Sequence, residues 1–401
     1  MAQVQIELGQ LKAAAVSIQR ARHLEPKNAE YLLTQAALLD REGAFNASLD
    51  ATQKALAESS GNRLLQAKSL ALLGELISIG PKRDDKAAAD HEMAAIKLAR
   101  PLLESQDARL RDEARQLLFD AHLTMARIIA WGAWKRKPEV VPKWIDRASE
   151  YAERDLSMPA SSESPGEPTL AAQFDLARAR LEVLVALNGA IDPNPTEEEA
   201  LRLGRELIQS GSDPLERLAL EWRLGIALYD AMQIYHVRSE YEPALKSGTL
   251  ASEYLMRSER LGLDLPGTRY MLGRLNFRLG SIHALHYKDH QRAIPWFRNA
   301  VDLLSDSPQH GGPAELGRRG ETLVSMAVSY WEVGQREEAI RLTEQGLAQM
   351  EQSVTGGGLQ REALSVPYSN LAQMHRGLGH SEKARNFQQL AARSEGTPTR
   401  R

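Results

Sequence analysis

Leu8-Gly9-Gln10-Leu11-Lys12-Ala13-Ala14 and Gly43-Ala44-Phe45-Asn46-Ala47-Ser48 decide the fold between them. Gly9 and Gly43 lie 34 residues apart, and the frame around them repeats at the same offset. Leu11 becomes Phe45, Ala14 becomes Ser48, Ile18 becomes Thr52 and Ala21 becomes Ala55. Self-similarity at a fixed period of this size marks a stacked array of supersecondary units. Each glycine is placed to end one helix in a left-handed turn. The small residue five positions later lets a second helix approach closely. Pro26 then stops that second helix, because it lacks an N–H and clashes with the preceding turn.

The frame continues through Leu32, Ala36 and Leu39 before Gly43, and it returns near the C-terminus. One unit starts at Gly320, with Leu323, Met326-Ala327, Tyr330, Gly334, Ala339 and Thr343. Another starts at Ser365, with Tyr368, Leu371-Ala372, His375, Gly379, Ala384 and Ala391. An earlier match is Leu279-Gly280, Ala293, Phe297 and Ala300. Gly334 to Gly379 is 45 residues, and Ala293 to Ala339 is 46, so these units are about eleven residues longer. Gly- and Pro-bearing joints at residues 307–313 and 355–358 carry the extra length.

These residues and their spacing resemble the tetratricopeptide repeat family, and the longer C-terminal units look like its kinesin-light-chain style. The resemblance implies an all-α, right-handed superhelical solenoid of about nine antiparallel helix pairs. Between the marked ends the pattern is helical periodicity alone. Pairs are expected at residues 62–104, broken at Gly80-Pro81, and at 107–156, broken near Lys137-Pro138. Two more are expected at 168–210, broken at Asp192-Pro193-Asn194-Pro195, and at 214–261, around Ser239–Glu242. Thr196 ahead of Glu197-Glu198-Glu199 reads as a helix start.

The organisation expected is therefore residues 1–156 as N-terminal helix pairs, 157–169 as a Pro/Ser-rich loop or hinge, and 170–266 as degenerate pairs. Residues 267–395 hold the long units, and 396–401 form a disordered tail. The first helix has only about seven residues before Gly9, and no polar cap precedes it. That suggests a chain continuing a longer protein or sitting in a multiprotein complex.

Composition narrows function by exclusion. Hydrophobic residues make up 43% of the 401 and aromatics only 5%, which suits closely packed helices. The chain has no cysteine, so it holds no disulfide, thiolate metal site or cysteine nucleophile. Its 53 acids against 50 bases give a net charge of −3, without the basic bias of a nucleic-acid binder. No apolar run approaches the ~18 residues of a membrane span, and no signal peptide is visible. The cytoplasm is the expected compartment.

Chemistry-bearing constellations are few. His283, His286 and His290, at i, i+3 and i+7, would share a helix face and could bind a transition metal. Against this, His283 aligns with Tyr330 and His375, where the family places a packing ring. His91-Glu92 lacks the second histidine of a zinc-protease helix, since residue 95 is Ala. Gly356-Gly357-Gly358 lacks the lysine and strand of a phosphate loop. Trp131, Trp134 and Trp144, with Lys135, Arg136, Lys137 and Lys143, read either as a helix-hairpin core with a solvated basic turn or as a patch for an acidic peptide.

The resemblance implies partners on the concave surface lined by the first helix of each pair. Carried over by repeat position, the candidates are Arg274, Phe277, Glu321, Trp331, Gln373 and Arg376. The asparagine clamp of chaperone-binding members is missing, with Leu33 and Ala37 in the matching places. The expectation is a non-catalytic scaffold for protein or peptide partners, with no cofactor. Two alternatives stand beside it: a sensor region of a larger kinase or transcriptional regulator, and a metal-responsive protein using the histidine face.

Overall fold

The computed structural model describes residues 2–7, 10–80, 83–152, 169–260, 268–305 and 312–395. Gly9, most of the 157–169 segment and the 396–401 tail lie outside them. Every regular element among the described residues is helical. The chain divides into two compact units, Met1–Pro266 and Gly267–Arg401.

The N-terminal unit holds six helix pairs: α1 (Ala2–Glu7) with α2 (Leu11–Leu24), α3 (Ala29–Arg41) with α4 (Phe45–Glu58), and α5 (Arg63–Ile79) with α6 (Asp85–Ala99). These are followed by α7 (Ala108–Trp131) with α8 (Lys137–Tyr151), α9 (Leu170–Ala186) with α10 (Asn194–Ser210), and α11 (Pro214–Val237) with α12 (Tyr241–Arg260). Each helix packs on its pair partner and on the first helix of the next pair. First helices also touch one another in sequence, α1 to α3, α5, α7, α9 and α11. They therefore form one inner layer, with the second helices outside it. Across the 157–169 segment, α9 packs against both α7 and α8. The C-terminal unit repeats the arrangement with α13 (Thr268–Ser281) and α14 (His290–Ser305), α15 (Gly312–Glu332) and α16 (Arg336–Thr355), and α17 (Ser365–Gly377) and α18 (Ser381–Glu395). The fold is thus the all-α array of helix pairs, nine among the described residues, that the repeat implies.

Local chemistry explains the starts. The inner helices α3, α5, α7, α9 and α11 each begin with a side-chain cap. Asn28 accepts from Glu30 N and Tyr31 N, Asn62 from Leu65 N, and Asp107 from Arg109 N and Leu110 N. Thr169 accepts from Ala172 N, and Asp213 from Leu215 N. Each cap satisfies orphan donors and contributes about 1 kcal/mol. Of the outer helices, α6 is capped in the same way, Asp84 accepting from Lys86 N and Ala87 N. Expected at Thr196, α10 instead starts at Asn194, with Asp192 Oδ1 accepting from Asn194 N at 3.0 Å. The break expected near Lys137-Pro138 falls at residues 132–136, and Lys137-Pro138 opens α8, since proline is tolerated in the first turn.

The turn inside each pair is the repeat's signature. Gly43, Gly334 and Gly379 all have positive φ. At Gly43 the turn closes with Gly43 N donating to Asp40 O at 2.9 Å and Ala44 N to Leu39 O at 2.8 Å, a Schellman arrangement. Ser239, with φ 63°, closes the same pair of bonds in the degenerate middle. Leu228, Met232 and Tyr235 stand before it where Leu32, Ala36 and Leu39 stand before Gly43, and all three are buried. The residue five positions after the turn is small and buried in each case: Ser48, Ala244, Ala339 and Ala384. Pair α11–α12 therefore keeps the repeat's frame, with serine at the position of the turn glycine.

A left-handed conformation costs a residue with a Cβ about 1–2 kcal/mol. Ser239→Gly is expected to raise stability by about 0.5–1 kcal/mol in urea unfolding, the added unfolded-state freedom of glycine offsetting part of the gain. A loss of stability would mean that Ser239 is not held in this turn.

Candidate functional site

The inner layer of the N-terminal unit encloses a groove of about 940 Å³. Its walls follow helical periodicity. Glu75, Ser78 and Ile79 come from α5, and Asp120, Thr124, Arg127 and Trp131 from α7. Asp175, Arg178 and Glu182 come from α9, Ala219, Trp222 and Arg223 from α11, and Arg41 from α3. Within each helix these residues recur at three- and four-residue steps, so each contributes one stripe to the same face. A ligand in the groove would meet five consecutive repeats.

Charge dominates the floor. Arg127 Nε donates to Glu182 Oε2 at 2.7 Å, joining α7 to α9. Asp175 accepts from Arg178 at 3.1 Å and from Arg223 of α11. Phe174 lies beneath both guanidinium groups, 5.8 Å from that of Arg178 and 5.5 Å from that of Arg223. The Nε of Arg178 is shielded from solvent and bonds to no protein group. Burial, and the like charge of Arg127 beside it, push Arg178 down to about 10. Asp230 of α11 is pushed up to about 8, first by burial and then by the Glu182 carboxylate. Below that pH it is protonated, which relieves the crowding of carboxylates.

Behind this floor sits Glu92 of α6, buried, with neither carboxylate oxygen hydrogen-bonded. Burial, with Glu75 and Asp120 nearby, drives its pKa well above the ordinary carboxylate range. Gly74 of α5 makes room for it: a Cβ there would stand 2.8 Å from Glu92 Oε1.

The tryptophan cluster is divided. Trp144 packs at 5.5 Å from the buried His122 ring, as a hairpin core requires. Trp131 and Trp134 remain 49% and 39% exposed, and Trp131 lines the groove. The hairpin-core reading therefore holds for Trp144 and fails for the other two.

The residues carried over from the repeat pattern all lie in the C-terminal unit. Phe277 and Trp331 pack against its core, Phe277 with Phe297 at 6.1 Å and Trp331 under the Arg336 guanidinium at 5.2 Å. Glu321 and Gln373 are exposed, Arg274 is half-buried, and Arg376 donates to Gln388 Oε1 at 2.9 Å. The three histidines do not converge. A π-helical turn, Ile282–His286, intervenes, His286 stands edge-on to Tyr287, and His290 Nδ1 bonds Ser329 Oγ at 2.9 Å. Among the described residues no group of three His, Asp or Glu is arranged to hold a metal ion. No helix there is long and apolar enough to cross a membrane.

Apart from Trp131, the groove residues carry no local mark, because arginine and carboxylate on a helix face look like solvated surface. The available signal was their partner spacing: 55 residues from Arg127 to Glu182 and 48 from Asp175 to Arg223, each one repeat to the next.

No family model matches the sequence, and no curated protein matches it. Among solved structures, a Rap protein complexed with competence and sporulation factor is similar at TM-score 0.43 and 13% identity, over 98% of this chain and 95% of that one. Apo RapI gives 0.40 and 10%, over 91% and 97%. Aspartyl phosphate phosphatase F from Bacillus subtilis gives 0.36 and 13%, over 100% and 94%. At these values the likeness carries no argument about this chain.

Proposed function

We propose that the chain is a non-catalytic scaffold that binds a peptide or an extended protein segment in the groove of its N-terminal unit. The observation that carries this reading is the groove itself, where side chains from five consecutive inner helices share one face. Arginine and tryptophan on that face are the residue types that anchor interfaces. The stacking of successive inner helices suits an extended ligand, whose backbone polar groups need many separated partners. In the same reading Arg274, Glu321, Gln373 and Arg376 offer a further contact surface on the C-terminal unit, whose longer repeats keep the kinesin-light-chain-like expectation.

Selection of a displayed library of random octapeptides against the full chain tests this. Binders are expected, and Trp131→Ala is expected to weaken them about tenfold or more, the usual size of an aromatic anchor's loss. Trp131 is half exposed, so the fold should survive the change. Selected peptides that bind Trp131→Ala and wild type alike would place the ligand elsewhere.

A further inference from the structure

The turn that closes the α17–α18 pair differs from its counterparts in one contact. Gly379 N donates to Arg376 O at 3.1 Å and His380 N to His375 O at 2.9 Å, the same two bonds that close the turns at Gly43, Ser239 and Gly334. In such a turn the two residues joined by the longer-range bond frequently touch through apolar side chains. At the other three turns they are Leu39 and Ala44, Tyr235 and Glu240, and Tyr330 and Gln335. Here both are imidazoles, and Nδ1 of His375 lies 3.3 Å from Nδ1 of His380. The ring centres are 5.6 Å apart, which is that distance plus the two ring radii. The nitrogens therefore point at each other along one line, the geometry of a single N–H···N hydrogen bond.

His375 is buried, and it sits between His380 and Phe387 of α18, whose ring lies parallel to its own with centres 5.5 Å apart. Phe387 in turn stacks on Tyr368 of α17. Helix α18 packs chiefly on α17 and on the short helical turn Arg361–Leu364. The imidazole pair thus lies at the root of the contact that holds α18 down.

A neutral imidazole has one N–H and one bare nitrogen, whereas an imidazolium has two N–H groups and no acceptor. The His375–His380 bond needs one bare Nδ1. It forms between two neutral rings, or between one neutral and one charged ring, and never between two charged ones. We propose that this contact is an acid-sensitive latch: it closes the α17–α18 pair while at least one ring is neutral, and double protonation releases α18. Two N–H groups then face each other, and two positive charges with them.

The surroundings set the sign. Lys383 of α18 and His380 of the turn oppose a proton on His375, and Glu344 of α16 favours it. Burial first, then Lys383 and His380, hold His375 below the ordinary histidine value of 6.5. As pH falls through that value, the released or unfolded segment takes up a proton that the closed turn refuses. Closure is therefore fully stable above it and weakens below it.

Hydrogen exchange of the full chain, read by mass spectrometry as protection factors at about pH 7.5 and about pH 5, tests the latch. Protection over α18 is expected to fall about tenfold or more in acid, the equivalent of one unit of pKa difference, while that over α16 stays constant. His375→Tyr with His380→Gln copies the Tyr330–Gln335 pair of the α15–α16 turn, and it should keep equal protection at both pH values. His380→Gln alone retains the buried His375 beside a neutral amide, so its acid loss should shrink to about threefold or less. No acid loss in the wild type would overturn the latch. A loss as large in His380→Gln as in the wild type would assign the effect to burial of His375 alone and overturn the pairing. An undiminished loss in the double variant, or an equal loss over α16, would place the acid response elsewhere and overturn it too.

Discussion

Glu92→Met should stabilise the N-terminal unit by about 1 kcal/mol near pH 4, and by progressively more as pH rises towards 7. The acid-side gain comes from removing two buried oxygens that have no hydrogen-bond partner. The neutral-side gain comes from linkage. Burial, reinforced by Glu75 and Asp120, holds the folded pKa of Glu92 well above its unfolded value. Above the unfolded value the unfolded chain gives up a proton that the folded chain keeps. Stability therefore falls as pH rises, by up to about 1.4 kcal/mol per unit, until the folded pKa is passed. Methionine has a similar length and no charge, and it removes that slope. Urea titrations of both proteins from pH 4 to 8 measure the difference. Parallel pH profiles, or a destabilised variant, would mean that the carboxyl is solvated or paired. Because Glu75, Asp120 and Arg127 line the groove, the same result bears on how polar its floor is.

The second large effect lies in the C-terminal unit and runs against helix propensity. Gly320 of α15 and Gly346 of α16 meet at the helix crossing. A Cβ on Gly346 would stand 2.6 Å from Gly320 O, and one on Gly320 would stand 2.5 Å from Gly346 O. Propensity alone says that Gly→Ala in a helix gains about 1 kcal/mol. Here the obstacle is backbone carbonyl, which cannot swing aside as a side chain can. Overpacking of this kind costs about 1–3 kcal/mol. Gly346→Ala is thus expected to destabilise the C-terminal unit by about 2 kcal/mol, and Gly346→Val by more. Thermal unfolding followed by a probe in that unit checks the sign. A gain in Tm for Gly346→Ala would show that the helices cross further apart.

These cases also show where the sequence could be read and where it could not. Gly43, Gly334 and Gly379 were legible because a left-handed turn selects glycine, and the small residues after them were legible because close helix approach selects Ala or Ser. Pair α11–α12 keeps the frame but hides it. Ser239 makes the turn without the glycine that advertises it, and tertiary packing of Leu228, Met232 and Tyr235 overrides the local preference. Lys288 hides its turn likewise, with the π-helical turn just before it shifting the count by one residue. The groove was illegible for a different reason. Arg127, Asp175, Arg178 and Glu182 become a site only when consecutive inner helices stack, and nothing local separates them from solvated charges such as Arg109 or Asp50. Glu92 belongs to the His91-Glu92 pair that fails as a zinc motif, and its significance depends on burial that periodicity alone does not reveal.

The central claim is that the inner layer of the N-terminal unit is where this chain holds its partner. A crystal structure of the full chain with the tightest selected octapeptide tests it most directly. The peptide is expected to run across α5, α7, α9 and α11, in contact with Trp131. A peptide seated on the outer helices, or on the C-terminal unit around Arg274 and Arg376 with the groove empty, would contradict it.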